Sequence, residues 1–298
     1  MTRISRAEGG TELGTRPQVQ SIRCPLCDDD CTTPWGEENG FACVRCVGCG
    51  FLYVNPRPVA ESIDRGVQLG MHQGEQTSFN VVGSRMAWKV RVYKNVIRDL
   101  YPELQSSATP IRWLDVGAGF GELVEAIGDV APTGSICEGI EPMIPKAEDA
   151  RRRGLPIQTL YMQDVKHKYN IISLIDVFSH IPDFRSFLVD VKKLLLPGGE
   201  VFLKTGNAAD LKNRGQFPGP LILPDHLTFG GERHVHRFLT EAGFEIVCTK
   251  AYKIDGLVYS LRNIARWILR RPVCLSLPYT SNARILYVRA RLKAATQS

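Results

Sequence analysis

Trp113-Leu114-Asp115-Val116-Gly117-Ala118-Gly119-Phe120-Gly121-Glu122-Leu123-Val124 is the stretch that decides the fold. An apolar run that reads as a strand meets three glycines spaced G-x-G-x-G, and an amphipathic run that reads as a helix follows. Glycine reaches positive φ and, without a Cβ, lets the backbone come close to a ligand. A strand, a glycine turn and a helix in that order make the nucleotide-binding corner of open α/β sheets, with the ligand outside the carboxyl ends of the strands. A dinucleotide fingerprint, G-x-G-x-x-G, would need glycine at position 122, where this chain has Glu122. A carboxylate there would repel a pyrophosphate.

Further strands follow outward from this turn. Gly134 to Pro142 reads as strand two and ends in Glu141, about twenty residues beyond Gly121, where an acidic residue can accept both ribose hydroxyls of a nucleoside. Pro156 to Asp164 reads as strand three, and Tyr169 to Asp176 as strand four with an exit loop through His180 to Asp183. Leu194-Leu-Leu-Pro197-Gly198-Gly199 supplies a helix end and a turn before strand five, which reaches Lys204. Phe244 to Tyr252 and Ala283 to Leu292 read as strands six and seven. The D-x-G-x-G-x-G pattern from Asp115 to Gly121, with the L-x-P-G-G turn, resembles the class I S-adenosylmethionine (SAM)-dependent methyltransferases over roughly residues 111–250. The resemblance implies a Rossmann-like α/β fold: seven mostly parallel strands with an antiparallel last one. It also implies SAM as cofactor, held by Asp115, Gly117, Ala118, Gly119, Gly121, Glu141, Pro142, Asp164, Val165 and Asp176, with Asp164 at the adenine amino group.

Six of the nine cysteines fall between Cys24 and Cys49, as C-x2-C-x3-C-x11-C-x2-C-x2-C. In a reducing compartment such paired spacing points to metal rather than disulfides. Two ligand sets fit a zinc ribbon, Cys24, Cys27, Cys46 and Cys49, or the first pair with Cys43 and Cys46. The first is preferred, because Gly50 after Cys49 suits a tight knuckle. Four thiolates would close a tetrahedral, structural zinc site. Cys137, Cys248 and Cys274 read as core packing. The run C-x-x-C-G-F-x-x-x-N-P-R-P, from Cys46 to Pro58, resembles an N-terminal module found before many small-molecule methyltransferases of this class.

The expected organisation is a disordered N-terminus (1–21), a ribbon (22–55), a linker with N-terminal helices (56–110), and a SAM-binding domain (111–298) with lid insertions at about 207–235 and 256–282. Val82, Met86, Val90, Tyr93, Ile97 and Leu100 recur at helical steps, predicting a helix from about Phe79 to Tyr101. Gly66 to Gln76, rich in glycine and polar residues, reads as a covering loop. The 298 residues carry a net charge of +6, 44% hydrophobic and 23% charged residues, ordinary for a globular chain. No run suits a transmembrane helix, and the first residues lack the apolar stretch of a secretory signal, so the cytoplasm is the expected compartment.

The methyl carbon on a sulfonium is electrophilic, so the protein must align an acceptor and sometimes remove a proton. His226 is the expected base, in the insertion after strand five, and His180, after strand four, is expected to shape the site. His234 and His236 read as surface or packing residues. No N-P-P-Y, D-P-P-Y or Pro-Cys follows strand four, which argues against methylation of exocyclic base amines or of cytosine C5. O-methylation of a small metabolite or sugar hydroxyl leads. The alternatives are an RNA base methyltransferase that uses the ribbon to bind substrate, suggested by the positive charge, and a non-catalytic SAM-binding protein. Leu257 to Arg271 reads as a basic amphipathic helix, which can lie on an anionic membrane surface.

Overall fold

A computed structural model describes residues 17–74, 78–253 and 282–293, with residues 261, 264, 265, 268 and 269 as isolated positions between them. The strands before the glycine turn are β1 (Val19–Gln20), β2 (Thr32–Glu38), β3 (Phe41–Cys46), β4 (Leu52–Val54), β5 (Arg57–Pro58), β6 (Met71–Gln73) and β7 (Ser78–Asn80), with helices α1 (Ala60–Leu69) and α2 (Trp88–Leu100). The large sheet begins with β8 (Arg112–Val116), then α3 (Glu122–Val130), β9 (Ile136–Ile140), α4 (Ile144–Arg152) and β10 (Ile157–Gln158). It continues through β11 (Tyr169–Ile175), α5 (Phe184–Leu194), β12 (Leu195–Gly206), β13 (Thr228–Phe229), α6 (Glu232–Glu241), β14 (Phe244–Lys253) and β15 (Arg284–Leu292).

Seven strands form one sheet in the order β10-β9-β8-β11-β12-β15-β14, and β15 alone runs opposite to the other six. Successive side chains of a strand point to opposite faces. Trp113, Ile171, Phe202 and Tyr287 therefore meet α2 and α3 on one face. Leu114, Ile172, Leu203 and Val288 meet α5 and α6 on the other. Burial on both faces explains why these strands are nearly continuously apolar. Val90, Tyr93, Val96, Ile97 and Leu100 of α2 are buried, each stabilising the fold by roughly 1.5–3 kcal/mol. Because β8 lies between β9 and β11, strand order reverses at its carboxyl end, and a crevice opens there.

The ribbon is not a separate bead. β2, β3 and β4 make an antiparallel sheet completed by β13, from the insertion after β12. Phe51, between knuckle and strand, packs edge-on against Phe178 and Phe238 of the main core. Some expectations shift. Val19–Gln20, expected disordered, pair with Arg57–Pro58; residues 1–16 lie outside the described residues. The helix expected from Phe79 starts at Trp88, because Gly83, with φ +70°, breaks the helical path, and Ser78–Asn80 pair with Met71–Gln73. The covering loop expected at Gly66–Gln76 is the end of α1 and strand β6, as far as it is described. The basic segment 257–271, the insertion 256–282 and Cys274 lie largely or wholly outside the described residues. Among the described residues no helix is long and apolar enough to cross a membrane.

Candidate functional site

The crevice at the end of β8 is a cleft of about 340 Å³ lined by the glycine turn from Gly117 to Phe120 and by Asp115, Glu122, Glu141, Pro142, Asp176 and His180. Its size falls within the range of small-molecule sites. Gly117, Gly119 and Gly121 all have positive φ, and a Cβ on Gly119 would meet nothing within 4 Å, so that turn opens onto the cleft. Glu141 is held in place by two backbone donors, Gly119 N to Oε2 at 2.6 Å and Met143 N to Oε1 at 2.8 Å. A carboxylate has about four lone-pair sites, so capacity for hydroxyl donors remains. Asp115, 2% exposed, accepts from Ser173 Oγ at 2.6 Å. Burial, reinforced by Glu141 and Glu122, pushes its carboxyl up to about 8 despite that bond. Asp176 sits at φ +60° after β11; burial opposes its charge, but Lys204, 2.5 Å away, holds its pKa below the ordinary value.

Three expected cofactor residues do not line this space: Gly121, whose Cβ position faces Leu155 and Ile157, and Asp164 and Val165. Asp164 is exposed and Val165 half-buried, one turn beyond Leu160, Tyr161 and Met162, which do line the cleft. Sequence reasoning used Glu122 only as an argument against a dinucleotide; in the structure its Oε1 accepts from Met86 N at 2.8 Å and so ties the loop before α2 to the glycine turn. Its offset of one residue from the last glycine was the available signal.

A second chamber of about 380 Å³ adjoins the cleft, lined by Ser179, His180, Thr205, Phe217, Ile222, Asp225, His226 and Phe229. Both expected histidines stand here, with ring centroids 4.8 Å apart. His180 Nδ1 lies 2.9 Å from the Asp225 carbonyl oxygen and 3.2 Å from its Oδ1. Both partners are acceptors, so Nδ1 carries the proton and Nε2 keeps its lone pair in the neutral ring. Burial works against a charged His180, but Asp225 outweighs it and the pKa is raised. The Asp225 carboxyl goes well below its usual range, since burial is overcome by His180 and His72, whose Nε2 is 3.0 Å away. His226 differs. Its Nδ1 donates to the Leu221 carbonyl at 2.8 Å, and burial with the nearby His180 pushes its pKa down to about 4. Asp225 and His72 were not expected partners; Asp225 was visible only as the neighbour of His226.

At the ribbon, the Sγ atoms of Cys24, Cys27, Cys46 and Cys49 lie within 4.8 Å of one another, with Cys24–Cys49 at 3.6 Å and Cys27–Cys46 at 3.4 Å. Cys49 N points at Cys46 Sγ from 3.5 Å, as a knuckle amide should. The Cys24 contact pulls the Cys49 thiol down to about 5, and the same contact with burial pushes Cys24 up. Four thiols so close suit a cation better than four protons. Cys43 is fully buried in a separate cluster with Trp35, Leu52 and Leu223, and Cys31 is exposed. Neither joins the group.

The ribbon grips the chamber's wall. Glu38 Oε2 and Oε1 accept from Leu221 N and Ile222 N at 2.7 and 2.9 Å, and Asn39 Nδ2 donates to the Leu223 carbonyl at 2.7 Å. His234, buried at 2%, accepts from Gly231 N at Nδ1, so its Nε2–H donates to the Cys49 carbonyl at 2.9 Å. It is a packing residue, but one that joins α6 to the cysteine knuckle. His236 meets Thr249 Oγ1 at 2.7 Å.

A family profile described as a methyltransferase domain matches residues 90–249, more than half of the chain, and the chain belongs to the class I SAM-dependent methyltransferases. It is 32% identical over 103 residues to the ubiquinone biosynthesis O-methyltransferase of Citrobacter koseri, a match covering 32% of this chain and 42% of that protein. The Proteus mirabilis enzyme of the same name is 31% identical, over 32% of this chain and 41% of its own. The match thus spans about two fifths of these relatives' length. Two solved structures share the fold at a TM-score of 0.50 and 16% identity: the cyclase SpnF, over 69% of this chain and 82% of that one, and a putative sarcosine dimethylglycine methyltransferase from Galdieria sulphuraria, over 68% and 85%. One of these two is a cyclase, so the fold alone does not fix the chemistry.

Proposed function

We propose that the protein transfers the methyl group of SAM to an oxygen of a small-molecule acceptor, a metabolite or sugar hydroxyl, with His180 as general base. The observation that carries this reading is the Asp225–His180 pair on the seam between cleft and chamber, with the His180 Nδ1 proton committed to Asp225. The O-methyltransferase relatives support oxygen as the acceptor atom. When bound, SAM supplies an electrophilic methyl carbon. The rest is done by the chain. Glu141 accepts the ribose hydroxyls, and the turn from Gly117 to Gly121 with Pro142 lies along the cofactor. Asp176 supplies negative charge near its cationic end, while Asp115, its carboxyl pushed up to about 8, is largely protonated at neutral pH. The role expected for Asp164 and Val165 passes to Tyr161 and Met162. His180 Nε2 takes the hydroxyl proton, Asp225 orients the ring and stabilises its charged form, and His226 stays neutral as a wall of the chamber. General-base catalysis is worth roughly 10²- to 10⁴-fold, on top of alignment.

Cys24, Cys27, Cys46 and Cys49 would hold a structural zinc, since a closed four-thiolate site leaves no open position for chemistry. Calorimetry with S-adenosylhomocysteine tests the cofactor assignment. Parent protein should bind it, and Glu141→Ala should weaken binding by about 1.5–3 kcal/mol, the range for a hydrogen bond to a charged group. Absence of binding by the parent would sink the methyltransferase reading.

A further inference from the structure

Nearly every carboxylate around the two cavities already has a partner. Asp176 faces Lys204, Asp225 faces His180 and His72, and Asp115 accepts from Ser173. Glu122 and Glu141 accept backbone amides. The exception is Asp64, exposed on the rim. The lysines are not balanced in the same way. The side chains of Lys89 and Lys146 make no hydrogen bond or ion pair among the described residues, and both residues are half-buried. Both line the cleft and the chamber alike, as Asp176 and His180 do, so they stand on the seam.

Their backbone placement adds to the asymmetry. Lys89 is in the first turn of α2 and Lys146 in the first turn of α4, so the positive ends of two helices also converge there. Burial lowers the pKa of Lys89, and the nearby Lys204 and Lys146 charges add to it against the opposing pull of Asp176 and Glu122. Unpaired cations gathered in a concave, partly desolvated place are costly unless an anion joins them.

We propose that Lys89 and Lys146 form a binding site for an oxyanion, a carboxylate or phosphate, at the seam where methyl transfer takes place. The inference rests on the methyltransferase reading. Such a group can belong to the acceptor, or it can be the amino-acid carboxylate of the cofactor itself. A lysine ammonium meets either as a point charge.

Calorimetry on the full chain, on Lys89→Met and on Lys146→Met separates these sources with three probes: S-adenosylhomocysteine, methylthioadenosine (which lacks the amino-acid carboxylate), and inorganic pyrophosphate. If the anion belongs to the acceptor, pyrophosphate binds the S-adenosylhomocysteine-saturated parent, and each variant weakens it about tenfold while cofactor affinity holds. If it belongs to the cofactor, each variant weakens S-adenosylhomocysteine about tenfold, leaves methylthioadenosine unchanged, and pyrophosphate does not bind the saturated protein. Variants that match the parent with all three probes overturn the site. A parent that binds no S-adenosylhomocysteine defeats the methyltransferase reading instead, and pyrophosphate titrated into the cofactor-free protein then still reads the two lysines.

Discussion

His180 and His226 are near-neighbours with opposite proton economies. Asp225 raises the pKa of one, while burial pushes the other down to about 4. A base must be neutral to act, so turnover should rise with pH through the folded pKa of His180, above its ordinary 6.5. Asp225→Asn removes the charge that raises it, so the limb should move to lower pH while maximal turnover falls. His226→Ala should leave the limb near its parental position, since His226 is already neutral there. A profile measured with labelled SAM on an identified acceptor decides the matter: a limb that disappears in His226→Ala and survives in His180→Ala would reverse the two roles. The same linkage acts on stability with its own sign. The raised His180 pKa stabilises the fold below the ordinary histidine value, and this is lost as pH rises through the folded one. The depressed Asp225 pKa stabilises above the ordinary carboxylate value, and that is lost in acid. The sequence made both histidines visible. It hid their difference, because the deciding contact joins residues 45 apart.

Elements were legible where local physics sets them. The strands of the large sheet and the glycine turn declared themselves by apolar runs and by φ requirements that hold within a few residues. The start of α2 and the fate of the ribbon did not, because both depend on distant partners. Met86 N reaches Glu122, and the ribbon's β2–β3 turn reaches across 183 residues to Leu221. There Ile222 holds φ +63°, a genuine outlier for a β-branched residue, which persists only where surroundings enforce it. The two Glu38 oxygens on Leu221 N and Ile222 N are part of that enforcement. Glu38→Ala should therefore loosen the loop carrying Asp225 and His226, with each lost bond worth at most about 1.5–3 kcal/mol locally. Hydrogen exchange at the Leu221 and Ile222 amides should quicken and turnover should fall, with S-adenosylhomocysteine affinity within about twofold of parent. Unchanged exchange at those two amides would show that the loop holds its shape without Glu38.

At the scale of the molecule, the cysteine knuckle is wired to the chamber rather than appended to it. Cys49 O accepts from His234 and Arg233 at the start of α6, Val54 N donates to the Leu227 carbonyl, and β4 pairs with β13 directly after His226. The cofactor cleft, by contrast, is built on β8, β9 and β11 with the glycine turn, and none of its lining residues belongs to the ribbon. Loss of metal should then act unevenly, because metal binding and local folding are one equilibrium in such sites. Protein purified without chelator should carry one zinc per chain. Stripping it, or making Cys49→Ser, should release protection from exchange in the ribbon and in residues 221–231, and should lower turnover. S-adenosylhomocysteine should still bind. Cys43→Ser should keep its zinc, because Cys43 is packed in the cluster with Trp35 and Leu52 and away from the four sulfurs. Metal loss that leaves exchange in 221–231 at parental rates would mean that hydrophobic contacts of Phe51 with Phe178 and Phe238 hold the chamber on their own. Equal loss of cofactor binding would mean that the ribbon supports the whole fold rather than its acceptor side.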